Sequence, residues 1–102
     1  MVKRGEVYWV NLDPTLGSEI RKLRPALVVS PNDMSAVLPR VIVALLTSKG
    51  QPLGCRPEVE FAGKKAQILL DQIRCVDKIR LSGKMGEIEP TLGHPVLLEM
   101  LA

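Results

Sequence analysis

Turn residues break this chain into short β-type segments, and nothing else in the sequence constrains its fold as strongly. Glu6–Leu12 (EVYWVNL) mixes β-branched and aromatic residues and is followed by turn chemistry at Asp13-Pro14-Thr15-Leu16-Gly17-Ser18. Pro25 opens Ala26-Leu27-Val28-Val29-Ser30, a continuous apolar run typical of a buried strand, which Pro31-Asn32-Asp33 ends. Arg40–Leu46 (RVIVALL) is a third strand and delivers Thr47-Ser48-Lys49-Gly50 to its end. Residues 57–61 alternate, with Glu58 and Glu60 on one face and Val59 and Phe61 on the other. Gln67–Val76 (QILLDQIRCV) is a further strand, with a helix over Asp71–Leu81 as the alternative, and Met85–Ile88 a short sixth. Only Val96–Leu101, with Pro95 in the first turn, reads as a helix. Short strands at this spacing point to a mainly β fold with short helices, a small β-barrel.

Residues 1–102 form one domain of ordinary size. By surface scaling it buries roughly 65% of its unfolded surface, a real but modest core. Scarce residues then narrow the chemistry. His94 is the single histidine, so no pair of histidines within the chain can cleave a phosphodiester, and it reads as a helix-start residue. Cys55, Cys75 and His94 stand 20 and 19 apart without CxxC or HxxxH spacing, which argues against structural zinc. Tyr8, Trp9 and Phe61 are too few for a base-stacking platform. Catalysis must rest on carboxylates, arginines, hydroxyls or a bound cation.

The net charge of +3 lies entirely in residues 1–50, which carry seven Lys/Arg against four acids, and Arg21-Lys22-Leu23-Arg24 concentrates it. Such a cluster favours polyanions, nucleic acid among them; the alternative is a solvated loop. Two cysteines 20 apart make no disulfide framework. The longest apolar run is Val41–Leu46, far short of the ~20 residues that span a bilayer. Gly5-Glu6 stand where a signal peptide would turn apolar. The expectation is a cytoplasmic protein.

Three constellations can carry chemistry. Gly17-Ser18-Glu19 followed by Arg24-Pro25 places a carboxylate and several cations on a loop fixed by a proline and a strand. The Arg24 guanidinium, held at a strand start, suits phosphate oxygens. Thr47-Ser48 can donate hydroxyls to a phosphate or close the strand against backbone. Asp71, inside an apolar strand, needs a partner or a task, and Arg74 or Arg24 could be that partner. Asp77 and Arg80, three apart, read as a surface pair. Glu58 and Glu60 with Lys64 could hold a nuclease metal, but such a pair on an alternating strand is usually a solvated face.

At Arg4-Gly5-Glu6-Val7-Tyr8-Trp9-Val10, Leu12-Asp13-Pro14, Gly17-Ser18-Glu19 and Arg24-Pro25-Ala26-Leu27-Val28-Val29-Ser30, the chain resembles the MazF/PemK toxins. The match continues through Leu46-Thr47-Ser48, Leu70-Asp71-Gln72-Ile73-Arg74 and Asp77-Lys78-Ile79-Arg80-Leu81. The resemblance implies an SH3-like barrel of the MazF/PemK/CcdB type with a short C-terminal helix. It also implies a homodimeric toxin that inhibits translation by cutting single-stranded RNA at short sequence motifs. No metal or other cofactor is needed, and the ends are a 2′,3′-cyclic phosphate and a 5′-hydroxyl.

Residue by residue, the arginine before the proline falls on Arg24 and the strand-end threonine on Thr47. The loop glutamate falls on Glu19, and the aspartate used by some members on Asp71. Glu19 or Asp71 is then the base. The RNA-binding candidates beside them are Ser18, Arg21, Lys22, Ser48, Lys49, Gln72 and Arg74. The chain departs from some members at Ser18, where they carry histidine, at Leu69, where they carry arginine, and in a shorter C-terminal helix. Implied partners are a short acidic MazE-like antitoxin and, through that complex only, operator DNA. The rivals are a CcdB-like gyrase poison and a non-catalytic nucleic-acid-binding barrel.

Overall fold

The computed structural model describes residues 2–12, 23–48 and 56–101. Six strands make one antiparallel sheet: β1 (Glu6–Asn11), β2 (Leu23–Val28), β3 (Arg40–Thr47), β4 (Glu58–Phe61), β5 (Lys64–Asp77) and β6 (Leu81–Glu87). Their order is β4-β5-β3-β2-β1-β6, and the sheet curls into a half-barrel with β4 and β6 as its edges. Among the described residues two α-helices accompany it, α1 (Asn32–Val37) and α2 (His94–Leu101).

The apolar runs of β2 and β3 are continuous because the curled sheet is buried on both faces. Leu27, Ala44 and Leu46 join Val7, Ile68, Leu70 and the α2 residue Leu97 in one core. Their neighbours Ala26, Val28, Val43 and Leu45 join Val10, Val41, Leu69 and Val76 in the other. Strand alternation sends successive side chains to opposite faces, and here both faces are apolar. The single-sided pattern survives in β4, where Val59 is buried between exposed Glu58 and Glu60, so these two acids form the solvated face.

The β4–β5 hairpin closes through Ala62 and Gly63, whose φ values of 53° and 77° are those of a two-residue primed turn. Such a turn matches the twist of the flanking strands, and an alanine accepts the left-handed conformation there only at a cost.

Three local features differ from expectation. The apolar run ends before Pro31 as expected, and the chain then forms α1. Six residues are too few to show a 3.6-residue period; the signal is Asp33, whose Oδ1 accepts the Met34 amide at 2.9 Å in the first turn. The helical alternative over Asp71–Leu81 gives way to strand as far as Asp77, then a short 3₁₀ turn at Lys78–Arg80. The short sixth strand starts earlier, at Leu81, because it pairs with β1 from Val10 to Glu6. As expected, His94 opens the C-terminal helix and Pro95 lies in its first turn.

Candidate active site

Arg24 lies near the start of β2 and Thr47 ends β3. Ala26 pairs with Leu45, and Arg24 stands two residues before the one as Thr47 stands two after the other. Pro25 biases the preceding residue to extended backbone, so the Arg24 Cα is fixed by the chain as well as by pairing with Val10. Its side chain is anchored too: Nη2 donates to the Leu46 carbonyl at 3.3 Å. That contact uses one of five guanidinium donors and leaves the planar fork presented at the sheet rim. Thr47 is half-buried and Ser48 exposed beside it. The structure therefore brings together the arginine and hydroxyls that the sequence singles out 23 and 24 positions apart. Ser18, Glu19, Arg21, Lys22, Lys49 and Cys55 lie outside the described residues.

Asp71 has neither Arg24 nor Arg74 as its partner. Arg56 holds it side-on, Nε to Oδ1 at 3.0 Å and Nη2 to Oδ2 at 2.9 Å, with 17% and 29% of the two side chains exposed. The Arg56 hydrogen bonds keep the Asp71 carboxyl below its ordinary range, against the opposing pull of burial. Arg56 carries no sequence signal as a partner, because it stands fifteen residues from Asp71, ahead of β4, while Asp71 lies within β5. Only the fold joins them.

Asp77 likewise pairs with Arg40 at 3.2 Å and not with Arg80, whose Nη1 donates to the Asn11 carbonyl at 3.2 Å. Asp77 ends β5, where the β3 pairing sets Arg40 opposite it, and Arg80 lies in the 3₁₀ turn that follows. A cleft of about 430 Å³ lies here, in which Arg40, Arg74 and Arg80 stand with Asp77, Asn11, Leu12 and Cys75. Cys75 is an exposed free thiol. Val10 pairs with Arg24 on one side and with Leu81 on the other, so the arginine cleft begins one strand away from Arg24. Arg40 and Arg80 are cations the sequence reading did not select.

A second groove, of about 470 Å³, adjoins Thr47 and Ser48 and is lined by Trp9, Phe61, Met85 and Lys65. Two of the three aromatics thus converge on the rim, although they are far apart in sequence. Gln67, 9% exposed, pairs with Thr47 across β3 and β5, and its Oε1 has no hydrogen-bond partner among the described residues. Among the described residues no three His, Cys, Asp or Glu side chains converge on a metal-sized site. No helix among them is long and apolar enough to cross a membrane.

Comparison with known proteins adds to this geometry. The family of PemK-like, MazF-like toxins of type II toxin–antitoxin systems matches residues 3–98. Endoribonuclease EndoA of Bacillus subtilis is 37% identical over 95 residues, covering 87% of this chain and 82% of the relative. Among solved structures, an endoribonuclease in complex with its cognate antitoxin from a mycobacterial species superposes with a TM-score of 0.83 at 21% identity. That match covers 99% of this chain and 95% of the other. MazF from Deinococcus radiodurans gives 0.78 at 24% identity, covering 98% and 96%.

Proposed function

This chain belongs to the PemK-like, MazF-like toxin family of type II toxin–antitoxin systems, and on that premise we propose that it is a metal-independent, sequence-specific endoribonuclease acting on single-stranded RNA. The observation that carries the reading is Arg24 beside Thr47: a guanidinium whose one contact among the described residues is to the Leu46 carbonyl, next to the hydroxyl that ends the neighbouring strand.

In the proposed reaction the substrate's own 2′-hydroxyl attacks the adjacent phosphorus and the bond to the 5′-oxygen breaks, leaving a 2′,3′-cyclic phosphate and a 5′-hydroxyl. Charge builds on the non-bridging oxygens as five bonds form about phosphorus. Arg24 stabilises that charge, a task in which one positioned donor is worth about 10²–10³ in rate. A guanidinium gives up its proton reluctantly, so the departing 5′-oxygen takes its proton from water. Thr47 holds a non-bridging oxygen. A carboxylate accepts the 2′-hydroxyl proton. Asp71 has both oxygens committed to Arg56, so Glu19 is the base we favour.

The arginine cleft extends the site along the phosphate chain, with Arg74 joined by Arg40 and Arg80. Ser18, Arg21, Lys22, Ser48, Lys49 and Gln72 complete the proposed RNA contacts. The same reading carries a homodimer, an acidic antitoxin as partner and a cytoplasmic place of action.

The test is cleavage of a long single-stranded RNA of known sequence in EDTA, with both product ends mapped. Defined cuts bearing cyclic-phosphate ends are expected from the native chain and not from Arg24→Ala. Absence of cuts would overturn the reading and leave a toxin that kills by binding, whereas cutting that returns only with added divalent metal would overturn the metal-independent chemistry and leave a metal-dependent nuclease.

A further inference from the structure

The stretch of β5 beside Thr47 is irregular. Ala44 of β3 pairs with Ile73, yet Leu46, two residues on, pairs with Ile68. Two steps along β3 therefore match five along β5, and the surplus forms a bulge over residues 69–72. Bulges break the ladder and re-aim side chains, so they hold one shape only where something fixes them.

Asp71 sits inside this bulge, and Arg56 grips it with two parallel hydrogen bonds. Immediately after Arg56, the Pro57 carbonyl accepts the Ile68 amide at 2.9 Å, and Ile68 pairs with Leu46. The Leu46 carbonyl in turn accepts from Arg24, and Thr47 follows it in the chain. A continuous set of contacts thus leads from the Arg56–Asp71 pair to both residues that hold the phosphate.

We infer that Arg56 and Asp71 are positioning residues: their ion pair clamps the β5 bulge and so sets the placement of Leu46, Arg24 and Thr47 against the scissile phosphate. The inference rests on the RNA-cleavage reading above and gives Asp71 a part other than proton acceptor. Planar two-point pairing of arginine with carboxylate supplies direction as well as attraction, which a clamp requires and a base does not. Displacement of a catalytic group by about 1 Å can cost ~10² in rate.

The experiment measures kcat and KM on a short RNA containing the mapped cut site, across pH, for the native chain, Arg56→Ala, Asp71→Asn and the exchanged pair Arg56→Asp/Asp71→Arg. Thermal unfolding of each variant checks the fold. A clamp predicts that both single variants lose about 10- to 100-fold in kcat, with KM changed less than threefold and the acidic limb of the pH profile unmoved. It also predicts that the exchanged pair regains at least tenfold over either single variant. If Asp71 is the base, removing Arg56 moves the acidic limb to higher pH, and Asp71→Asn abolishes the limb. Either result overturns the inference, whether or not the exchanged pair folds. Cleavage by the native chain establishes the underlying reaction separately, so its absence would strike the functional reading and not the clamp alone.

Discussion

Within β5, Gln67–Leu70 are buried and Asp71–Cys75 are exposed, although both stretches pair with β3. The difference lies on the other side of the strand. β4 pairs with β5 as far as Gln67 and Pro57 extends that contact to Ile68, whereas among the described residues no strand pairs with the same edge beyond them. In the first, Ile68 and Leu70 enter one core and Leu69 the other. In the second, Asp71, Gln72 and Arg74 interrupt the apolar residues, and charges on an unpaired strand edge discourage pairing with another chain. The edge that needs charge for solubility is also where charge can meet a substrate. Interior polar groups of this sheet behave differently: Glu6, with 9% of its side chain exposed, accepts from the Lys3 amide, the Tyr8 hydroxyl and Lys84. Its capacity is consumed inside the fold.

The largest effects should separate the two stretches by stability. Leu70→Ala removes a side chain that is 1% exposed and should cost about 2–5 kcal/mol, whereas Ile73→Ala, at 36% exposure, should cost less than about 1. Urea unfolding of both variants measures the contrast, and equal losses would mean that the outer stretch is covered in solution. Next comes Arg24→Ala, which should lower cleavage by about 10²–10³ while shifting the unfolding midpoint little, since its side chain makes one carbonyl contact among the described residues. A fall in stability as large as that of Leu70→Ala would make Arg24 part of the scaffold.

Arg74→Ala sharpens the comparison from within the outer stretch. If its guanidinium meets a phosphate, RNA binding should weaken for every sequence alike. The slope of log affinity against log salt should then shrink by about 0.7, the value for one contact to a single strand. Binding of a non-cleavable 2′-deoxy analogue across a salt series measures this. An unchanged slope would remove Arg74 from the phosphate path.

Strand periodicity and turn residues made the sheet legible, because each strand lies between prolines, glycines and acids that cannot continue it. The Arg24–Pro25 junction and Thr47 at the end of an apolar run were legible for the same reason: chemistry at strand ends leaves a local mark. Arg56, Arg40 and Arg80 were not, since what recruits them is register. Asp71 meets Arg56 across a bulge, and Asp77 turns from Arg80 to Arg40 because β3 lies alongside. No spacing rule in a single sequence encodes a three-residue bulge in another strand. The helix α1 escaped because one and a half turns carry too little periodicity to compete with Pro31.

The smallest effect concerns acid, and it sets the two carboxylates against each other. Burial pushes Glu6 upward, but the hydrogen bonds from Lys84, the Lys3 amide and Tyr8 outweigh it and hold the carboxyl below its ordinary 4.5. Asp71 is held below 3.8, chiefly by its hydrogen bonds to Arg56. A carboxyl whose pKa is lower folded than unfolded stabilises the fold fully above its unfolded value, and that contribution is lost as pH falls through the folded value. The thermal midpoint should therefore hold steady above about pH 5 and decline toward pH 3. Glu6→Gln should flatten the decline more than Asp71→Asn, because Glu6 is shut from solvent while Asp71 stands where salt can screen it. Raising ionic strength to about 0.5 M should erase most of the Asp71 share and little of the Glu6 share. Equal sensitivity to salt would mean that Asp71 is as enclosed as Glu6, and the outer stretch of β5 would then have to be covered by something other than water.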